Sequence, residues 1–313
     1  MEYAKLFKQI DYQTNMALIK AKDLQPFENH YIWRAAEFKN LLYQAGVDKW
    51  GNVLEVGCGN AFNSSLIASI SNKVIATDLG SPDRSTESMG IDKALQLTRR
   101  VGLRNCTVIS SSAESLSFKD ESFDIVYSSY TLEHIAGRSQ AISEMARVLK
   151  KGGLLIATVP NFVERLTYIP VYYNYIMRRA LFHGYKMAKS IFIRSSIDNR
   201  NIEKDSIKTY QLKTPWNNNR NFPFPDIHGV YATFSNELIS SLFYKWSRIF
   251  TRKDLKQVKS FTTIIMPWHL FSLINTSLPL WLYTKSSFLQ RKIGSLPLLN
   301  IIGHNLCFIY EKR

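Results

Sequence analysis

A chain of 313 residues that is 45% hydrophobic buries a sizeable core in one or two domains, which excludes wholesale disorder. Its three cysteines, Cys58, Cys106 and Cys307, are scattered, with no histidine at ligand spacing. Neither a disulfide framework nor a metal site is expected, and the thiols read as reduced in a cytoplasmic setting. The net charge of +15 is lopsided: residues 1–160 carry 18 Lys and Arg against 17 Asp and Glu, and the remainder 22 against 8. The basic half either faces something anionic, such as phospholipid, phosphorylated glycan or nucleic acid, or keeps the chain in solution.

The first residues hold no uninterrupted apolar run, so no secretory leader is expected. Residues 1–50 read as a helical segment in which Ile32, Ala35, Ala36, Phe38, Leu41 and Leu42 recur at helical spacing. From 52 onward the pattern changes to short runs rich in β-branched residues: VLEV (53–56), KVIATD (73–78), CTVIS (106–110), FDIVYS (123–128) and LLIATV (154–159). Between them SSLIASI, IDKALQLTRRV and QAISEMARVLK keep apolar spacing near 3.6. Strands alternating with helices predict an α/β fold, a Rossmann-like doubly wound and mostly parallel sheet covered on both faces.

After Pro160 the alternation stops. Residues 162–194 are aromatic and basic, with six Lys or Arg against one acid, and 195–226 are polar, Asn-rich and broken by prolines, which reads as a long loop. Residues 234–250 read as a helix. The 23 residues 261–283 hold no charge and have a basic flank on each side. Pro267, His269, Asn275 and Pro279 within that run suit two short buried or lid helices better than membrane-surface insertion, and either better than a spanning helix. LCFIYE near the end reads as a strand. The expected division is a helical segment 1–50, a Rossmann-like core 51–160, a region 161–300 that meets the acceptor, acts as a lid or lies at a membrane surface, and a closing strand in 301–313 that completes the core sheet.

The chemistry concentrates in VLEVGCGNA (53–61). A buried strand ends at Val56, and the chain turns on Gly57 and Gly59 into a helix near Asn63. Glycine suits such a turn because its backbone reaches angles that other residues resist, and because it leaves room for a ligand against the main chain. The helix N-terminus beyond offers unpaired N–H groups. Asp78 ends the second strand 19 residues after Gly59, where a carboxylate can accept both hydroxyls of a ribose. The third glycine of a dinucleotide loop would fall at Phe62, so an adenosine ligand without a pyrophosphate fits better.

Four ordered segments, VLEVGCGNA (53–61), VIATD (74–78), SSAESLSFKDESFDIVYSSYTLEHI (111–135) and EMARVLKKGGLLIATVP (144–160), resemble the class I S-adenosylmethionine-dependent methyltransferases, in particular the type 11-like group with small-molecule and lipid substrates. The resemblance implies S-adenosylmethionine as cofactor. Glu55, Gly57, Cys58 and Gly59 would shape the pocket for its methionine part, Asp78 and Leu79 would hold the ribose end, Ala113 and Glu114 would line the adenine, and Ser128 and Ser129 would close the floor beneath the sulfonium. The family usually carries an acid where this chain has Ser112, which puts the adenine contact at that point in doubt.

Methyl transfer from sulfur is an in-line displacement, and a hydroxyl acceptor benefits from a general base. His134, just past the fourth strand, and His228, in PDIHGVYATFSNEL, are the candidate catalytic residues; the second also matches a family stretch that often faces the acceptor. A lipid-linked, glycan or hydrophobic small-molecule acceptor, methylated at oxygen, follows from the basic aromatic C-terminal half. There Tyr172, Tyr173 and Tyr185 alternate with Arg178, Lys186 and Lys189, a composition that suits an anionic membrane surface. The expected location is the cytoplasm, either free or peripheral at the inner membrane face. An RNA methyltransferase, served by the same basic and aromatic residues, and a non-catalytic methyltransferase-like scaffold are the alternatives.

Overall fold

A computed structural model describes residues 2–26, 29–47, 50–79, 90–196, 234–263, 291, 293, 296, 303 and 305–313. Two N-terminal helices, α1 (Glu2–Lys20) and α2 (His30–Ala45), precede the sheet. The core then runs β1 (Asn52–Val56), α3 (Phe62–Ala68), β2 (Lys73–Asp78), α4 (Ile91–Val101), β3 (Cys106–Ser110), β4 (Phe123–Ser129), α5 (Arg138–Val148) and β5 (Leu149–Pro160). Helices α6 (Phe162–Ser196), α7 (Phe234–Ser240) and α8 (Phe243–Ile249) follow, then strands β6 (Leu255–Phe261) and β7 (Asn305–Lys312).

The seven strands form one sheet in the order β3-β2-β1-β4-β5-β7-β6. The first five are parallel, and β7 pairs antiparallel with both β5 and β6. Parallel neighbours need crossover connections, and α3, α4 and α5 supply them. Alternation along each strand divides the core cleanly. Val53, Ile125, Tyr127, Ile156, Cys307 and Ile309 face the layer of α1 to α4, where Tyr31, Phe38 and Trp50 are buried. Leu54, Val126, Leu155, Ala157, Phe308 and Tyr310 face the other layer, with Met145 of α5 and Trp246 of α8.

The expected strands and crossover helices stand within a few residues of their predicted positions, and the closing strand fills the gap between β5 and β6. The basic flank before residue 261 is itself a strand: only Leu255 and Phe261 of β6 are buried, as at a sheet edge. The single helix expected over 234–250 is two, broken after Ser240. Residues 162–196, whose composition alone was read, form one helix. The Asn-rich stretch 197–226, His228 and most of the charge-free run 261–283 lie outside the described residues.

Candidate active site

The C-terminal ends of β1, β2 and β4 open onto a cavity of about 380 Å³, within the usual range of small-molecule sites (about 300–1,000 Å³). Its floor is the turn after β1. Gly57 has φ +79° and Gly59 φ +55°, and the Gly57 and Cys58 amides both donate to Thr77 O, at 2.8 and 2.9 Å. A Cβ on Gly57 would lie 2.1 Å from Thr131 Oγ1, so only glycine lets the β1 turn and the segment after β4 close on each other. Ala61 (φ +60°) and Tyr130 (φ +51°) hold the same left-handed backbone without being glycine. Such strain is kept where the surroundings over-determine it, commonly beside a ligand.

Two carboxyl groups stand on one side. Asp78 accepts a hydrogen bond from the Gly59 amide at 2.8 Å, which fixes its side chain at the end of β2. Glu55 lies almost wholly buried beneath the turn and accepts a hydrogen bond from the Ser64 hydroxyl. Burial pushes its pKa up to about 8; the Ser64 bond opposes that shift and the nearby Asp78 adds to it.

The opposite wall comes from α2 and from the residues after β4. Arg34 of α2 stacks over the Tyr130 ring at 4.3 Å, and its Nη1 donates to Glu37 Oε2 at 2.7 Å. It is the one Lys or Arg among the described lining residues. Glu37 is held from behind: Asn305, at the start of β7, donates from Nδ2 to Glu37 Oε1 (2.8 Å) and to the Tyr130 hydroxyl (3.0 Å). His30 also reaches the wall. Burial first, and Arg34 second, lower its pKa to about 3, so the ring is neutral across the ordinary pH range.

Of the residues expected from the sequence, Glu55, Gly57, Cys58, Gly59, Asp78, Leu79, Ala113, Ser129 and His134 all line this one cavity. Two others stand behind it. The Ser128 hydroxyl donates to Val56 O at 3.0 Å, tying β4 to β1, because strand alternation turns it away from the opening. Glu114 accepts from the Gly137 amide at 2.6 Å and anchors the start of α5. At Ser112, where the family usually has an acid, the hydroxyl accepts from the Glu114 amide at 3.2 Å and so shapes that turn.

His134 closes a 3₁₀ turn, Leu132–His134, with its side chain exposed at the cavity mouth. Protein atoms crowding the ring, then Arg165 and Arg138, lower its pKa below the usual histidine value. Beside it Glu133 is fully buried, with no hydrogen-bond partner for either carboxyl oxygen, and burial raises its pKa to about 7.

Arg34, His30 and Tyr130 were not anticipated. Arg34 and His30 sit on a helix whose charged residues read as a solvated face, and nothing local marks them as turned inward.

The donor set suits S-adenosylmethionine. It combines a strand-end carboxylate for a ribose, a glycine floor that admits a chain running along the backbone, and a single guanidinium on the far side for a carboxylate. No pyrophosphate cradle is present, since Phe62 occupies the third glycine position and is buried.

Residues 54–157 match the family model "Methyltransferase domain". Among curated proteins, the ubiquinone/menaquinone biosynthesis C-methyltransferase UbiE of Francisella tularensis is 32% identical over 137 residues, covering 43% of this chain and 51% of the relative. The demethylmenaquinone methyltransferase of Staphylococcus epidermidis is 28% identical over 158 residues, covering 48% and 60%. A solved SAM-dependent methyltransferase from Aquifex aeolicus is 18% identical with a TM-score of 0.35, covering 48% of this chain and 73% of that one. The chain spans about half the length of the curated relatives it matches. The segment 54–157 is thus similar to methyltransferase domains, and its sheet order, glycine turn and Asp78 are those expected of a class I S-adenosylmethionine-dependent methyltransferase.

Proposed function

We propose that the protein transfers a methyl group from S-adenosylmethionine to a hydrophobic small molecule bearing an acidic hydroxyl. The observation that carries this reading is the cavity itself, in which Asp78, the Gly57–Gly59 turn and Arg34 surround one opening with His134 at its mouth. The cofactor supplies an electrophilic methyl on a cationic sulfur with a neutral thioether as leaving group. Asp78 is suited to hold the ribose hydroxyls, the turn to receive the methionine chain, and Arg34 to meet its carboxylate. Among the described residues the Arg34 guanidinium is hydrogen-bonded through Nη1 to Glu37, and its other N–H groups suit a second partner.

The Francisella relative is named a C-methyltransferase, which favours a carbon acceptor over the oxygen expected from the sequence. A ring carbon beside a phenolic hydroxyl needs the same help as an oxygen: the hydroxyl proton leaves as the carbon attacks the methyl, and the hydrogen of that carbon is then lost as the ring becomes aromatic again and the oxygen regains a proton. His134, neutral near pH 7 because its pKa is lowered, is suited to take the hydroxyl proton at the mouth of the cavity. Its neighbours Arg165 and Arg138 disfavour a second positive charge there, so the proton passes on to water once the transfer is complete.

The test is incubation of the full chain with S-adenosylmethionine and a panel of hydroquinones, phenols and RNA, with products resolved by mass spectrometry and the methylated position by NMR. Methylation of a hydrophobic hydroquinone or phenol supports the proposal. Methylation of RNA alone replaces it with the RNA reading. Cofactor binding without transfer to any compound points to the scaffold.

A further inference from the structure

Helix α6 is 35 residues long, about 50 Å at 1.5 Å per residue. Its beginning is built into the body. The Phe162 amide donates to Asn161 Oδ1 at 2.7 Å, and Arg165 pairs with Glu237 of α7 at 3.1 Å, both of those side chains being almost completely buried. Farther along, large apolar side chains face outward: Tyr173, Met177, Leu181 and Tyr185 are 43%, 55%, 66% and 65% exposed. Steps of four residues advance about 40° around a helix, so these four form one continuous stripe about 120° wide. Leu166, also exposed, falls on the same stripe, and Phe182 lies beside it.

A stripe of this kind on a lone helix is costly in water and marks an interaction surface. The charge of the helix says which kind. Beyond the buried Glu164 and Arg165 it carries Arg178, Arg179, Lys186, Lys189 and Arg194 and no acidic residue. Apolar residues on one stripe with an unbalanced excess of cations are the composition of a helix that lies in the plane of an anionic bilayer, with its apolar side chains in the acyl boundary and its cations among phosphates. No helix among the described residues is long and apolar enough to cross a membrane. A nucleic acid would use the cations but leave Met177 and Leu181 without purpose.

We propose that the outer part of α6, from Tyr173 onward, docks the protein onto anionic lipid membranes. The inference rests on the proposed function in one respect, that a hydrophobic acceptor gives a membrane address its use. The docking itself needs no acceptor and is measured without one.

The experiment is co-sedimentation of the full chain with vesicles of phosphatidylcholine alone or with about 30% phosphatidylglycerol, at low salt and near 0.5 M salt, comparing wild type with the double variant Met177→Glu, Leu181→Glu. Thermal melting, light scattering and S-adenosylmethionine binding are measured on both proteins. The expected result is binding to the phosphatidylglycerol vesicles only, weakened by salt, and reduced roughly tenfold or more in the variant. The variant's melting temperature, mass in solution and cofactor affinity should be unchanged. No binding to anionic vesicles, or equal binding to phosphatidylcholine alone, overturns the proposal. A lowered melting temperature in the variant means the stripe is covered by the chain itself. A wild-type dimer that the substitutions dissociate means it is covered by a second copy. Either overturns the proposal while leaving the methyltransferase reading intact, which the cofactor-binding measurement judges separately.

Discussion

Replacing Arg34 with Met tests whether the cofactor's carboxylate is read by a residue outside the family-matched segment. Arg34 presents the one fixed positive charge among the described cavity residues. Stacking on Tyr130 and the bond to Glu37 hold it in place, so little ordering remains to be done when a carboxylate arrives. A charge-assisted hydrogen bond of this kind contributes about 1.5–3 kcal/mol. The variant should therefore bind S-adenosylmethionine about 10- to 150-fold more weakly by calorimetry. Methionine keeps much of the stem that packs on Tyr130 but leaves Glu37 Oε2 without its cation. Glu37 retains Asn305 at Oε1, so the loss of stability should lie at the lower end of about 3–5 kcal/mol, and folding of the variant is checked by circular dichroism. The decisive comparison uses decarboxylated S-adenosylmethionine, which keeps the adenosine, sulfonium and amine. Wild type and variant should bind that analogue alike. If the variant loses the same factor for both ligands, or for neither, Arg34 does not meet the carboxylate and the reasoning fails.

The remaining predictions concern the floor, the carboxyls and the network behind the wall. Asp78→Ala should abolish cofactor binding measured by calorimetry while the chain stays folded by circular dichroism, because it removes both the ribose acceptor and the partner of the Gly59 amide. Gly57→Ala should lose about 3 kcal/mol or more in denaturant melts, since its Cβ would overlap Thr131 at a φ of +79°. Glu133 and Glu55 bind protons in the folded state up to about pH 7 and 8, whereas unfolded glutamates release them near 4.5. Stability should therefore fall as pH rises from about 4.5 to 8, on the order of 3 kcal/mol for Glu133; Glu133→Gln should flatten a plot of melting temperature against pH. Asn305→Ala should cost about 2–4 kcal/mol in the same melts, because Glu37 and the Tyr130 hydroxyl each lose a buried donor.

The core of the sheet was legible because its strands are buried on both faces and read as uninterrupted β-branched runs, VLEV and FDIVYS among them. Strand β6 was not. At the sheet edge LKQVKSF buries only its two ends, and a run with three central exposed positions carries no period-two signal. The glycine turn and Asp78 were legible for a different reason: backbone angle and strand-end placement constrain residue type directly, so the chemistry is written locally. Ser128 and Ser129 show the limit of that reading. Both follow the same strand, and a single residue of alternation sends the first hydroxyl to Val56 O and the second to the cavity. Arg34 and Asn305 were illegible because their roles arise from contacts across 96 and 268 positions of chain, Arg34 with Tyr130 and Asn305 with Glu37.

Those long contacts bear on where the acceptor is chosen. The match to the family model ends at residue 157, and within it lie the floor, Asp78 and His134, the residues proposed for the cofactor's adenosine and for the proton. The wall that faces them is assembled from α2 and braced by the first residue of β7, with Glu37 and Asn305 joined beneath Arg34 and Tyr130. Segments from both ends of the chain thus converge on one side of a cavity whose other side is common to the family. Removing either end would expose the buried Glu37 carboxylate or leave Tyr130 without its donor, so the wall cannot be varied piecemeal; its parts must change together. An enzyme family that keeps one methyl donor and serves many acceptors needs a constant half and a replaceable half. With Arg34 proposed to meet the cofactor's carboxylate, α2 belongs with the constant half, and the chain beyond residue 160, apart from the Asn305 brace, is the place to alter acceptor choice without disturbing the cofactor.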